Sequence, residues 1–239
     1  MEIIIRHFNT DFDGLGAMVA AKKLYPDAVL VYAGKLCRNV EDFMALHKDT
    51  INIMSTRDIM PEKVKKLILV DTKSPSRLGP MQKILNNKDL AIHIYDHHPR
   101  NAGDVEGELE VVEPLGASTT LLVELIQEAG IQLNHLEATI LALGIYEDTG
   151  CLTFSTSTAR DAAAIASLLG QGANLKIISD FIGRPLSESQ KSLLNTLIVS
   201  AQHFLIHGTR STSVFSTPSR RSRTKPPTTK TLWSQWVAS

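Results

Sequence analysis

The chain has 239 residues, 43% of them hydrophobic, with 25 basic against 25 acidic residues and a mean hydropathy of −0.01. That length holds one large domain or two small ones, and no apolar run approaches the roughly 18–20 residues that a membrane-spanning helix needs, so membrane insertion is not expected. The opening MEIIIRH has no basic, long-apolar or cleavage region of a secretion signal, and Cys37 and Cys151 are too few for a disulfide framework, which together point to a cytoplasmic chain with free thiols.

From the N-terminus to residue 95, short β-branched runs alternate with longer amphipathic segments, the pattern of βαβ units in an α/β domain with a parallel sheet. Strands are expected at 2–6, 28–33, 67–70 and 91–95, with a weaker one at 51–54. Helices are expected at 14–24, 41–47 and 76–85, the last interrupted by Gly79-Pro80. After Pro114 the pattern becomes helical, at 118–129, 136–146, 159–169, 175–181 and 188–206, with Ser118 placed to cap the first. Pro185 breaks the chain before the last helix. Beyond Gly208 the sequence is rich in Ser, Thr, Pro and Arg without a helical or strand period, and a segment of that kind buries too little apolar surface to offset its ordering entropy. The expected organisation is therefore a domain over 1–185, a connecting helix over 186–208 and a disordered tail over 209–239.

The neutral total conceals an asymmetry. Glu188 is the last acidic residue, and the segment from Thr209 carries Arg210, Arg220, Arg221, Arg223, Lys225 and Lys230, which leaves 19 basic against 25 acidic residues, a net of −6, for 1–208. A mildly acidic domain with a basic tail suits contact with RNA or single-stranded DNA.

Four stretches share one arrangement: IIIRHFNTDFDG, LILVDTK, IHIYDHH and ALGIYEDTG each end an apolar segment and follow it at once with carboxylates or imidazoles. In an open parallel sheet such groups gather in the crevice beyond the carboxyl ends of the strands, while Asp148, after a helix, is brought in from the neighbouring layer. Asp11, Asp13, Asp71 and Asp148 then repel one another, and two divalent cations balance the four charges. With His7 and His97 the set offers nitrogen and oxygen donors, which suit Mn²⁺, or Mg²⁺ with more water ligands. Two such ions can activate water and stabilise the attacking and leaving oxygens of a phosphoryl transfer, so no side-chain nucleophile is required. Taken singly, each stretch has an ordinary alternative: a surface imidazole at His7, a helix cap at Asp13, a turn residue at Asp71. Asp96-His97-His98 serves no packing purpose, and the four together point to a metal site.

These motifs carry a resemblance. HFNTDFDG at 7–14, VDTK at 70–73, DHHPRN at 96–101 and YEDTG at 146–150 resemble, in order, the motifs of the Asp-His-His (DHH) phosphoesterase superfamily, over roughly residues 1–185. That superfamily includes single-strand exonucleases of the RecJ type, oligoribonucleases acting on nanoRNA, cyclic-dinucleotide phosphodiesterases, exopolyphosphatase-related proteins and manganese pyrophosphatases. The resemblance implies a Mn²⁺-dependent hydrolase acting on phosphorylated substrates such as short oligonucleotides. It implies one metal on His7, Asp11 and Asp71, and another on Asp13, Asp71, His97 and Asp148. Asp96 is expected to orient the adjacent imidazoles, His98 to contact substrate phosphate, and Arg100 to assist it as a nearby cation. The run at 116–126 resembles the family segment in which a helix N-terminus approaches the site.

The chain also departs from the family. A glycine-rich, histidine-containing second domain that grips substrate is not recognisable after Pro185, and the abrupt change at Gly208 fits a truncation or shifted frame as well as a native basic tail. Two other enzyme readings rest on Asp11-Phe12-Asp13-Gly14 alone. A haloacid-dehalogenase-like phosphatase leaves His7 and the Asp-His-His triplet unexplained, and a nucleotidyltransferase requires a preceding Gly-Ser helix that is absent. The domain nevertheless resembles the module that some bacteria fuse to a tRNA nucleotidyltransferase or poly(A) polymerase, so a metal- and phosphate-gripping module without turnover is the alternative to an enzyme.

Overall fold

The computed structural model describes residues 1–47, 50–182, 188–206 and 209–213. They divide into two compact units, with the boundary between residues 184 and 185.

The first unit is built on a parallel sheet of six strands, β1 (Glu2–Ile5), β2 (Val29–Tyr32), β3 (Ile53–Ser55), β4 (Lys66–Val70), β5 (Ala91–Asp96) and β6 (Leu109–Val112), in the order β3-β2-β1-β4-β5-β6. The winding reverses between β1 and β4, and such a switch point leaves a crevice at the carboxyl ends of the two strands. The period of two along β1 divides its isoleucines between two cores. Ile4 joins a layer of helices, while Ile3 and Ile5 face the other side with Leu67, Leu69 and Ile94.

The helical layer comprises α1 (Phe12–Leu24), α2 (Arg38–His47), α3 (Ser118–Glu128), α4 (His135–Asp148), α5 (Ala159–Gly170) and α6 (Leu175–Ile182). Every residue of α1 from Phe12 to Ala21 is buried, because α1 packs against both the strands and the helices α3 and α4. Its glycines and alanines permit that double contact. At Gly144 on α4, an added β-carbon would lie 2.8 Å from the Phe12 carbonyl oxygen and 2.9 Å from Thr119 Oγ1. Asn134 with Glu137 and Thr158 with Asp161 form reciprocal capping boxes that start α4 and α5.

The α/β reading and its parallel sheet are borne out, and three local expectations are corrected. The segment read as a helix at 76–85 is 3-10 helical over Pro75–Asn86, broken where Gly79 takes φ +54° before Pro80, which has no amide hydrogen to continue a ladder. Strand β6 was not foreseen, since Leu109–Val112 is a half-exposed edge strand among glycines and acids. In the second unit the helix expected at 188–206 stops early. Helix α7 is Glu188–Val199, and β7 (Gln202–Ile206) pairs antiparallel with β8 (Thr209–Ser213), Ile206 opposite Thr209. Phe, Ile and Thr favour the extended backbone, and a hydroxyl-rich strand resembles a disordered segment when judged by composition alone. The start of the expected disordered tail is therefore a strand, and 214–239 lie outside the described residues.

Candidate metal centre

Each strand that meets the switch point delivers its side chains differently. Past β1 the chain leaves the sheet through Asn9, in the left-handed region at φ +64°, and Asp11 becomes the N-cap of α1, accepting from the Gly14 amide at 3.1 Å. Asp13 lies in the first turn and is fully buried, accepting from the amides of Ser118 (2.9 Å) and Thr119 (2.9 Å). The α3 N-terminus thus approaches the site through Asp13, where the free amides and the helix dipole favour a carboxylate. After β4, Asp71 takes φ +56°, and its amide donates to the Tyr95 carbonyl at 2.9 Å. A left-handed backbone costs about 1–2 kcal/mol for a residue with a β-carbon, somewhat less for aspartate, and here it turns a buried carboxylate into the crevice. β5 ends in Asp96, followed by His97 and His98, and Asp148 enters as the last residue of α4.

These residues assemble into three donor sets that share Asp71. Ligand atoms lie within 4.8 Å of one another in the set of His7, Asp11 and Asp71, in that of Asp13, Asp71, His97 and Asp148, and in a smaller one of Asp71, His97 and His98. His7 Nε2 stands 3.6 Å from Asp71 Oδ2, and His97 Nε2 stands 3.7 Å from Asp71 Oδ1 and 3.4 Å from Asp148 Oδ2. Burial followed by the neighbouring charge of Asp71 pushes the Asp13 carboxyl up to about 7. Burial, with Asp13 and then Asp71 beside it, pushes Asp148 up to about 9. Burial raises Asp71 to about 6 against the pull of Arg6. Three acids that hold protons near neutrality are a cluster short of positive charge.

The chemistry of the donors fits a cation. His97 Nδ1 donates to the Leu115 carbonyl at 3.0 Å, which leaves Nε2 with its lone pair, buried and without a hydrogen-bond partner, facing the carboxylates. That is the arrangement of a neutral imidazole ligand held from behind by a carbonyl. Arg6, fully buried, lies beneath the first set, 2.8 Å from Asp11 Oδ1 and 3.3 Å from Asp71 Oδ2, with Nη2 against His7 Nε2. Although burial pushes the other way, Arg6 holds the Asp11 carboxyl below the usual range. Burial and then Arg6 bring His7 down to about 4.

Asp96 serves only one of its two neighbours. Its Oδ1 takes His98 Nδ1 at 2.7 Å, and Oδ2 takes Lys73 Nζ at 2.8 Å, while His97 is held by Leu115. Despite burial, these bonds bring Asp96 down to about 2, and the bond from Asp96 raises His98. Arg100 pairs with Glu110 on β6 and does not line the cavity that His98 faces. The cation on the cavity wall is Arg77, which lines a space of about 710 Å³ together with His7, Asp11, Asp71, His98 and Asp148. Arg6, Lys73 and Arg77 were missed. A basic residue beside a strand end looks like an ordinary surface charge, although the buried run before Arg6 was a usable signal.

Residues 2–145 match the N-terminal domain of the DHH family. The chain is 41% identical over 209 residues to the A-adding tRNA nucleotidyltransferase of Geobacter sulfurreducens, an alignment that covers 87% of this chain and 24% of that protein. It is 29% identical over 196 residues to the cyclic-di-AMP phosphodiesterase GdpP of Bacillus subtilis, covering 75% of this chain and 29% of that one. The chain thus spans about a quarter of the length of these two relatives. Its fold is similar to that of an exopolyphosphatase-related protein from Bacteroides fragilis, with a TM-score of 0.71 at 17% identity over 84% of this chain and 62% of that one.

Proposed function

We propose that this chain, which belongs to the DHH family, is a two-metal phosphoesterase that hydrolyses phosphodiester or phosphoanhydride bonds in short oligonucleotides or single-stranded nucleic acid. The observation that carries this reading is the sharing of Asp71 by two donor sets. His7, Asp11 and Asp71 would hold one divalent cation, and Asp13, Asp71, His97 and Asp148 the other. Mn²⁺ suits the mixed nitrogen and oxygen donors, with Mg²⁺ as the harder alternative. When bound, such ions supply Lewis-acid polarisation of the phosphoryl group and of water.

The chain's own residues do the rest. The carboxylates of Asp13 and Asp71 are aimed beforehand, by the α3 amides and by the Ser118 hydroxyl at 3.0 Å respectively, so little reorganisation accompanies binding. His98, tied at Nδ1 to Asp96, keeps Nε2 to donate to a phosphate oxygen, and Lys73 locks Asp96 in that duty. We take 1–185 as the working domain and a cytoplasmic location for it; among the described residues no helix is long and apolar enough to cross a membrane.

A second reading, a phosphate-gripping module without turnover, draws support from the match to a nucleotidyltransferase of which the chain spans 24%. One experiment separates the two. A short oligoribonucleotide, a cyclic dinucleotide and pyrophosphate are assayed side by side with Mn²⁺, and hydrolysis that is abolished by Asp71→Ala supports the enzyme. Tight nucleotide binding with no turnover of any of the three would sink it.

A further inference from the structure

The wall of the metal cavity contains a side chain that the donor sets do not explain. Phe8, next to His7, is 47% exposed and lines that cavity. An aromatic ring left in water beside a cluster of charged groups forgoes its burial energy, which a loop could recover by turning the ring inward.

The loop is not free to do so. Thr10 is buried, its amide donates to the Lys35 carbonyl at 3.0 Å, and its carbonyl accepts from the Cys37 amide at 2.7 Å. The ring is seated on Gly34: a β-carbon there would lie 2.1 Å from Phe8 Cδ2 and 2.5 Å from Cε2. Glycine therefore permits the ring to lie against the backbone on one side while the remainder opens to the cavity.

Arg77 is tied to the same place, since the Phe8 amide donates to the Arg77 carbonyl at 2.9 Å. Its side chain is exposed, forms no ion pair or hydrogen bond among the described residues, and stands within electrostatic reach of both His7 and His98. A held aromatic face and an uncommitted guanidinium, side by side at the rim of a phosphate-directed site, match the two halves of a nucleotide. The base stacks on the ring, and the phosphate is gripped by the cation. Pyrophosphate would use only one of them.

We propose that Phe8 and Arg77 form a nucleotide subsite at the rim of the metal cavity, the ring as platform for a nucleobase and the guanidinium as partner for its phosphate. This deepens the phosphoesterase reading and rests on it, because it commits the site to substrates that carry a base. Stacking of a base on an aromatic ring contributes about 1–3 kcal/mol, so its signature is a difference of about tenfold between ligands with and without the base.

The test is calorimetric titration of the full chain, loaded with Mn²⁺, with AMP and with ribose 5-phosphate, which has the same charge and sugar but no base. The expected result is AMP binding about tenfold more tightly. Phe8→Ala should erase that ratio and Phe8→Trp restore it. Gly34→Ala, which displaces the ring without deleting it, should also erase the ratio, and Arg77→Ala should weaken both ligands. Equal affinity for AMP and ribose 5-phosphate in the unaltered chain, with Mn²⁺ dependence intact, overturns the subsite alone. An unchanged ratio in a folded Phe8→Ala protein does the same. Absence of any Mn²⁺-dependent phosphate binding removes the metal reading together with the subsite.

Discussion

Buried aspartates occupy two settings within the first unit. Asp161, fully buried, has Oδ2 facing the amides of Gly116 and Thr158 and the Thr158 hydroxyl, and Oδ1 facing the Thr120 hydroxyl. It ties α3 to the start of α5. Asp13 and Asp71, buried as deeply, and the partly buried Asp148 face one another and imidazoles instead, with the Arg6 guanidinium 3.3 Å from Asp71 as the one fixed cation among them. Asp13 takes two amides and Asp71 one hydroxyl, and no side-chain hydrogen bond to Asp148 is found among the described residues. Depth of burial is therefore no guide to role. What separates the two settings is whether hydrogen-bond donors match the charge, and where they fall short a cation is called for.

Breaking the contrast at its centre has the largest expected effect. Asp71→Ala removes the group common to the donor sets, and hydrolysis should fall to the detection limit with loss of Mn²⁺ affinity, checked by metal titration on a protein whose circular dichroism is unchanged. His98→Ala leaves whole the two sets proposed to hold the cations. It should lower kcat by about 10²–10³-fold, the range for loss of one hydrogen-bond donor to the transition state, with Mn²⁺ affinity retained.

Changing the satisfied carboxylate should act on stability and leave the chemistry alone. Asp161→Ala strands buried donors and should cost about 3 kcal/mol, read by urea denaturation, while kcat per folded molecule is kept. A loss of Mn²⁺ affinity in that variant would erase the distinction between the settings.

The smallest effect is one of pH. A carboxyl raised in the folded state holds a proton that the unfolded chain has released, so its contribution to stability is lost as pH rises through the folded value. His7, shifted the opposite way, is neutral in both states above about 6.5 and no longer contributes a slope. Between pH 6.5 and 9 the metal-free chain should therefore lose melting temperature as Asp13, near 7, and Asp148, near 9, ionise. Added Mn²⁺ should restore more at pH 9 than at pH 6.5. A rising melting temperature for the metal-free chain over that window would contradict the raised carboxyls.

The same contrast marks what the sequence could reveal. The donor sets were legible because four apolar segments each end in ligand-type residues, and a parallel sheet gathers such ends. The partners that fix them were not. Which imidazole Asp96 holds depends on where Leu115 brings its carbonyl, eighteen residues beyond His97. Arg100 follows His98 closely in the chain, but sequence distance does not give the direction of a loop, and a glutamate on an unforeseen edge strand claims it. Phe8 read as part of a motif, and its exposure became visible only with Gly34 beneath it. The hairpin of the second unit escaped because Gln202–Ile206 reads as a continuation of the helix before it, and Thr209–Ser213 is built from hydroxyl residues that composition assigns to loops.

Gly144 lies one turn before Asp148, and an added β-carbon there would come within 3.1 Å of the Asp13 Cα. A single hydrogen thus acts as the spacer of a calliper whose two jaws are Asp13 on α1 and Asp148 on α4. A methyl group at that position has to force the helices apart and widen the jaws. Ca²⁺ takes oxygen at roughly 2.3–2.6 Å and Mg²⁺ at roughly 2.0–2.1 Å, so Gly144→Ala is expected to shift preference toward the larger ion in competitive metal titration. The ionic radius that the site accepts is, on this view, gauged by how closely two helices are allowed to touch.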